Sequence, residues 1–165
     1  HGPLSFRHFV LGAVAIFFYV GIEVGIPNTA NIHFSEVLSP AVAGSFVGAY
    51  WFCMLIGRLV GGAIGAKISS KHMLLATAAV AICTSVMWGS IFNLAAEGLG
   101  KYTATASGIF MTLVCGGGII PFFQNLLADK VGSLMSYWLI IACLAYLVYY
   151  ALIGCKNVNK DIKVD

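Results

Sequence analysis

Glu23 is a carboxylate inside Phe9–Ile26, a run of 18 residues otherwise wholly apolar or glycine. A charge at that depth costs about 2.5–3.5 kcal/mol on insertion scales, and such residues face a bundle interior and mark a proton, ion or substrate path. Its carboxylate can accept hydrogen bonds from a polar ligand, hold a proton as a buried acid, or make a structural hydrogen bond to another helix. Tyr19 stands four residues earlier and so shares its helix face. Arg58 is the second costly charge, about two to three turns before Lys67. Left to itself, such an arginine can snorkel to the headgroups. No other chemistry stands out. His8, His33 and His72 have no metal-ligand spacing and are expected at the surface. The five cysteines sit in or at the ends of apolar stretches without a CxxC, as small hydrophobes do. Neither a metal, a cofactor nor a nucleophile–base set is expected, and only Glu23 is a deep acid.

The elements that must position these groups are membrane helices. The chain has 165 residues, 60% hydrophobic and 9% charged, where soluble domains run near 25% charged. The apolar stretches have helical length rather than the short alternating pattern of an outer-membrane barrel. The fold expected is an all-α integral membrane bundle. Its spans are 7–26, ended by Pro27-Asn28 and a polar loop to Pro40; 41–66; an irregular region 72–97; 106–128; and 136–155, with a tail over 156–165. The net charge of +3 comes from basic residues at span ends, which implies membrane topology and no nucleic-acid partner. Placing Arg7, Lys67, Lys71, Lys101 and Lys156 on the cytoplasmic side satisfies the first two and the last two spans. The stretch between Lys71 and Lys101 then starts and ends on one side, yet two crossings need about 40 apolar residues. Residues are expected to be missing near Val80–Cys83. His1-Gly2-Pro3 is not a natural start, so the chain is expected to be a fragment.

Glycines recur every four residues at Gly21 and Gly25, at Gly44 and Gly48, and at Gly57, Gly61 and Gly65. That spacing lets membrane helices approach closely. Gly116-Gly117-Gly118 followed by Pro121 lies mid-span and predicts a bend or a breakable helix.

Four segments carry a resemblance: Phe18-Tyr19-Val20-Gly21-Ile22-Glu23; Tyr50-Trp51-Phe52-Cys53-Met54-Leu55-Ile56-Gly57-Arg58; Met87 through Gly100; and Gly116-Gly117-Gly118-Ile119-Ile120-Pro121. In this order they resemble the C-terminal half of the fucose:proton symporter family of the major facilitator superfamily, with the bacterial glucose/galactose transporters as the branch most similar. The resemblance implies spans seven to twelve of a twelve-span transporter. Residues 72–80 resemble the start of span nine and 83–100 the second part of span ten. It implies hexose transport by alternating access in a bacterial inner membrane, coupled to a proton in the family's manner, with the C-terminus cytoplasmic and an N-terminal six-helix half as partner. The family's best-known proton carboxylates lie in that other half.

A sugar needs carboxylates, amides and aromatic faces. The substrate-binding set implied is Tyr19, Glu23, Tyr50, Trp51, Trp88, Asn93 and Gln124. The gating set is Arg58, Glu97, Gly117 and Pro121, with Arg58 expected to pair with Glu97 across the inner mouth. Asn93 and Gln124 can equally be helix-to-helix glue, and the aromatics plain packing. Tyr137, Trp138, Tyr149 and Tyr150 are expected as interface anchors. The rival readings are a membrane scaffold, a half-transporter that dimerises, and an intramembrane enzyme.

Overall fold

The computed structural model describes residues 2–65, 69–72, 74 and 87–156. The expected irregularity and missing segment near Val80–Cys83 lie outside the described residues. The described residues are helical and contain no strand. After a short turn at Pro3–Ser5 come α1 (Arg7–Val37), α2 (Pro40–Gly65), α3 (Met87–Ala96), a turn at Gly100–Tyr102, α4 (Thr103–Leu113), α5 (Gly116–Val131) and α6 (Ser133–Tyr149), which widens into a π turn at Tyr150–Gly154. Among the described residues four stretches are long and apolar enough to cross a bilayer: Arg7–Val37, Pro40–Gly61, Gly100–Val131 and Ser133–Gly154. The chain is an integral membrane protein.

The first span does not end at Ile26 as expected. Helix α1 runs through Pro27 to Val37, and only Leu38 and Ser39 separate it from α2. Proline lacks the N–H that would bond the carbonyl of Glu23 one turn earlier. The Tyr50 hydroxyl of α2 donates to that carbonyl at 3.3 Å. In a medium without water, continuing the helix keeps every other backbone group bonded, so one substituted bond is enough. Ser39 then starts α2: its hydroxyl accepts from the Val42 amide at 3.4 Å, and Pro40 takes the first helical position.

Helix α1 is the pillar of the bundle. Its most apolar stretch is 61% buried, against 11% for α2, because α2, α3, α5 and α6 all pack on it. Two glycine patterns make the α1–α5 crossing. Side chains at Gly21 and Gly25 would collide with Ile120 and Gln124, and one at Gly116 would collide with the Phe17 carbonyl oxygen. At Gly117 an added Cβ would lie 2.9 Å from Val20 Cγ1. Gly44 and Gly48 have nothing within 4 Å among the described residues, so that pair makes no such crossing there.

The helix is interrupted next to the glycine triplet, where a bend or a break was expected. The span over 100–131 is interrupted at Val114 and Cys115, one step ahead of the glycine triplet. There the Gly117 and Gly118 amides reach carbonyls only three residues back, at 2.9 Å each. Gly132, with φ +92°, turns α5 into α6.

Candidate functional site

Glu23 projects from α1 toward α2, where its Oε1 meets Nη2 of Arg58 in an ion pair. The pair is lopsided: the acid side chain is 9% exposed and the arginine 52%. The expected partner of Arg58 was Glu97, and the structure corrects this. Helices α1 and α2 form a hairpin about Leu38 and Ser39, so residues on the two helices meet at matching heights. Glu23 and Arg58 stand roughly 21 Å and roughly 27 Å from that hairpin at 1.5 Å per residue, a difference the long arginine side chain spans. Glu97 is exposed at the far end of α3, and its backbone carbonyl accepts from His8 Nε2 at 2.8 Å.

Around the pair the described residues gather part of the expected set. Tyr19 is fully buried one turn below Glu23. Its hydroxyl lies close enough to feel both Glu23 and Arg58, yet it makes no hydrogen bond of acceptable geometry. The Tyr19 ring packs on half-buried Trp88 of α3, with ring centroids 6.3 Å apart. Tyr50 closes the cluster from α2 through the Glu23 carbonyl. One acid, one guanidinium, a phenol without a hydrogen-bond partner among the described residues and two further aromatic rings therefore gather on the side of α1 that carries Tyr19 and Glu23. Such a cluster can offer acceptors and donors to neighbouring hydroxyls and a flat face to a C–H surface.

The remaining expected residues fall elsewhere. Trp51 is exposed on α2 and touches the cluster only through an edge contact to Tyr50, centroids 5.6 Å apart. Asn93 is exposed and lines a cleft of about 370 Å³ with Ser69, Ser70 and Glu97. Gln124 is fully buried against the Gly25 side of α1. Gly25 and Glu23 are two residues apart, about 200° around the helix, so Gln124 and Glu23 lie on opposite sides of α1. Gly117 and Pro121 belong to that α5 side too, with Pro121 buried.

Several polar contacts were not foreseen. Asn28 Nδ2 donates to Asn125 Oδ1 at 3.1 Å, joining α1 to α5. Tyr137 and Tyr146 donate to the carbonyls of Ile26 and Leu11, each at 3.2 Å. Tyr137 thus fastens helices rather than anchoring to the interface as expected, and Tyr150 is fully buried. Trp138, 65% exposed, and exposed Tyr149 keep positions compatible with anchoring. His8 was expected at the surface but is fully buried. Its spacing of four from Gly12, a glycine packed against Ala95, was the available signal that this face is interior. Among the described residues no group of three metal-ligating side chains gathers. A cleft of about 650 Å³ lined by His33, Glu36, Asn125 and Asp129 sits at the hairpin ends, apart from the Glu23 cluster.

No family model matches the chain, and no solved structure matches it. Over 93% of its length it is 34% identical to a glucose/galactose transporter of Brucella abortus and 31% identical to a putative glucose/galactose transporter of Helicobacter pylori. Over 88% of its length it is 24% identical to the L-fucose-proton symporter of Escherichia coli. The chain spans less than half the length of these relatives: 44%, 45% and 39%. The resemblance drawn from the four segments is borne out, and the relatives are transporters rather than enzymes. The Brucella alignment runs over 180 positions, while 93% of 165 residues is about 153. About 27 positions of the relative therefore stand opposite gaps in this chain.

Proposed function

We propose that this chain, a homologue of the glucose/galactose transporters over 93% of its length, is the C-terminal half of a proton-coupled hexose transporter of the bacterial inner membrane. The observation that carries the reading is the Glu23–Arg58 pair beside the buried Tyr19 hydroxyl, which has no hydrogen-bond partner among the described residues and whose ring packs on Trp88. A sugar hydroxyl can donate to Glu23 and a neighbouring hydroxyl oxygen can accept from Arg58 or Tyr19. Each new bond replaces part of the ion pair, so bound sugar and the closed pair compete for the same atoms. That competition is the differential affinity a ligand needs in order to shift a conformational equilibrium, and alternating access is such an equilibrium between two halves around a midplane site.

The N-terminal six-helix half is the partner this reading requires. Among the described residues α2 packs mainly on α1 and leaves its other sides open, and the Arg58 side chain is 52% exposed. The orientation follows from the basic residues: Arg7, Lys101 and Lys156 lie at span ends that share one side, which is the cytoplasmic one. The proton carrier belongs to the other half, since Glu23 is engaged as an anion by Arg58. We place the positions lacking relative to the Brucella transporter within 72–97, where the crossing count falls short.

Counterflow of labelled glucose, galactose and fucose tests this. The chain is reconstituted in vesicles, alone and with the N-terminal half of the Brucella relative. Hexose exchange that needs both halves and disappears in Glu23→Gln is expected. Exchange by Glu23→Gln equal to that of the unaltered protein would remove Glu23 from the sugar path.

A further inference from the structure

We infer that the inner end of α1 carries a buried site for one water and one proton, built from His8 Nδ1 and the Tyr150 hydroxyl. His8 is only the second residue of α1, yet it is fully buried. Its Nε2 lies 2.8 Å from the Glu97 carbonyl oxygen. A carbonyl only accepts, so Nε2 carries the hydrogen, and in the neutral ring Nδ1 is left with a bare lone pair. That Nδ1 is buried and has no hydrogen-bond partner among the described residues. The Tyr150 hydroxyl, also fully buried, has none either.

The Tyr150 hydroxyl reaches the face of α1 that carries His8. Gly12 follows His8 by one turn on the same side of α1, and a Cβ built there would lie 2.7 Å from the Tyr150 hydroxyl oxygen. The charge of Glu97 acts on both side chains. Tyr150 also opens the π turn Tyr150–Gly154, a widening of the helix often found at functional sites. Buried polar atoms without protein partners are those that internal waters satisfy, and a water needs two or more such partners. A water donating to Nδ1 and accepting from the Tyr150 hydroxyl satisfies both.

The same lone pair is the base. A proton delivered through that water from the adjoining aqueous side forms an Nδ1–H bond and gives an imidazolium. The ring then donates from both nitrogens, through Nε2 to the Glu97 carbonyl and through Nδ1 to the water. The bond to Glu97 becomes charge-assisted and stronger, which ties the start of α1 to the end of α3. The titratable groups on the surrounding elements are Arg7 on α1, Glu97 after α3, Lys101 before α4, Tyr150 on the π turn and Cys155 just after it. Lys71 and Lys156 act on Cys155. Burial opposes charging the His8 ring, and the carbonyl bond and the charge of Glu97 offset part of that cost.

The test needs no sugar and no second half. The chain, with its four histidines labelled with nitrogen-15, is placed in lipid nanodiscs and followed by nuclear magnetic resonance between about pH 5 and 8. His8→Gln identifies the His8 signals. We expect the Nε2–H tautomer at high pH, a water cross-peak to Nδ1, and conversion to the doubly protonated ring as pH falls. Tyr150→Phe should lose the water cross-peak and keep the Nε2–H signal. The opposite tautomer overturns the site. A ring that stays neutral throughout overturns its proton, and titration of Nδ1 without a water cross-peak overturns its water. Each of these results leaves the transport reading as it stands.

Discussion

Removing either member of the Glu23–Arg58 pair should not cost the same. Glu23 is the desolvated partner, 9% exposed, while Arg58 is 52% exposed. An Arg58→Met variant strands an anion beside Tyr19 in the α1–α2 contact. Breaking a buried pair by deleting one partner costs about 3–5 kcal/mol, and an exposed pair is worth about 0–1 kcal/mol. With one member buried and the other half in the open, about 2–3 kcal/mol is the expected loss. In Glu23→Gln the amide still hydrogen-bonds and Arg58 can turn to solvent or headgroups, so the loss should be near 1 kcal/mol. The double variant should recover most of the Arg58→Met deficit, because no buried charge remains. Reversible unfolding in mixed micelles, titrated with denaturing detergent, measures all three differences. If Arg58→Met proves no more costly than Glu23→Gln, or if adding Glu23→Gln rescues nothing, the claim that a buried acid depends on Arg58 is wrong.

Three further outcomes follow from particular contacts. Tyr50→Phe should destabilise by about 1 kcal/mol through loss of the bond to the Glu23 carbonyl; in a Pro27→Ala background, where the helix supplies its own amide, the same change should be close to neutral, and equal effects in both backgrounds would refute the substitution of one bond for the other. Gly116→Ala should cost about 1–3 kcal/mol, because the new Cβ meets the Phe17 backbone; Gly117→Ala, which meets only a valine side chain, should cost less, and Gly44→Ala should stay within about 0.5 kcal/mol, all read by the same detergent titration. Asn28→Ala and Asn125→Ala should each lose about 0.6 kcal/mol, and the double variant no more than either, a cycle that strict additivity would contradict.

Much of the fold was open to inspection in the order of residues, and some of it misled. The glycine spacing at Gly21 and Gly25 and the triplet at Gly116-Gly117-Gly118 pointed to close helix contact and a bend or a break, and close contact and an interrupted helix occur at one crossing. The same spacing at Gly44 and Gly48 meets no neighbour among the described residues, since a small residue permits an approach without compelling it. Pro27 looked like a terminus because the local rule for proline is strong, and only a hydroxyl from another helix made continuation possible. The expected site came apart for a related reason. Residue types showed that Glu23 and Gln124 could both bind a ligand, but rotation about the axis of α1 sends them to opposite sides.

The sequence by itself determined the solvent. Composition and run length require hydrocarbon around helices, and a lone carboxylate in that setting requires a partner. These are properties of short stretches, so no neighbour is needed to establish them. Tertiary structure alone decided that Arg58 pairs with Glu23 and not with Glu97, that α1 passes through Pro27, and that His8 is interior. Those outcomes depend on the relative height and rotation of helices far apart in the chain, which packing sets and no single segment encodes.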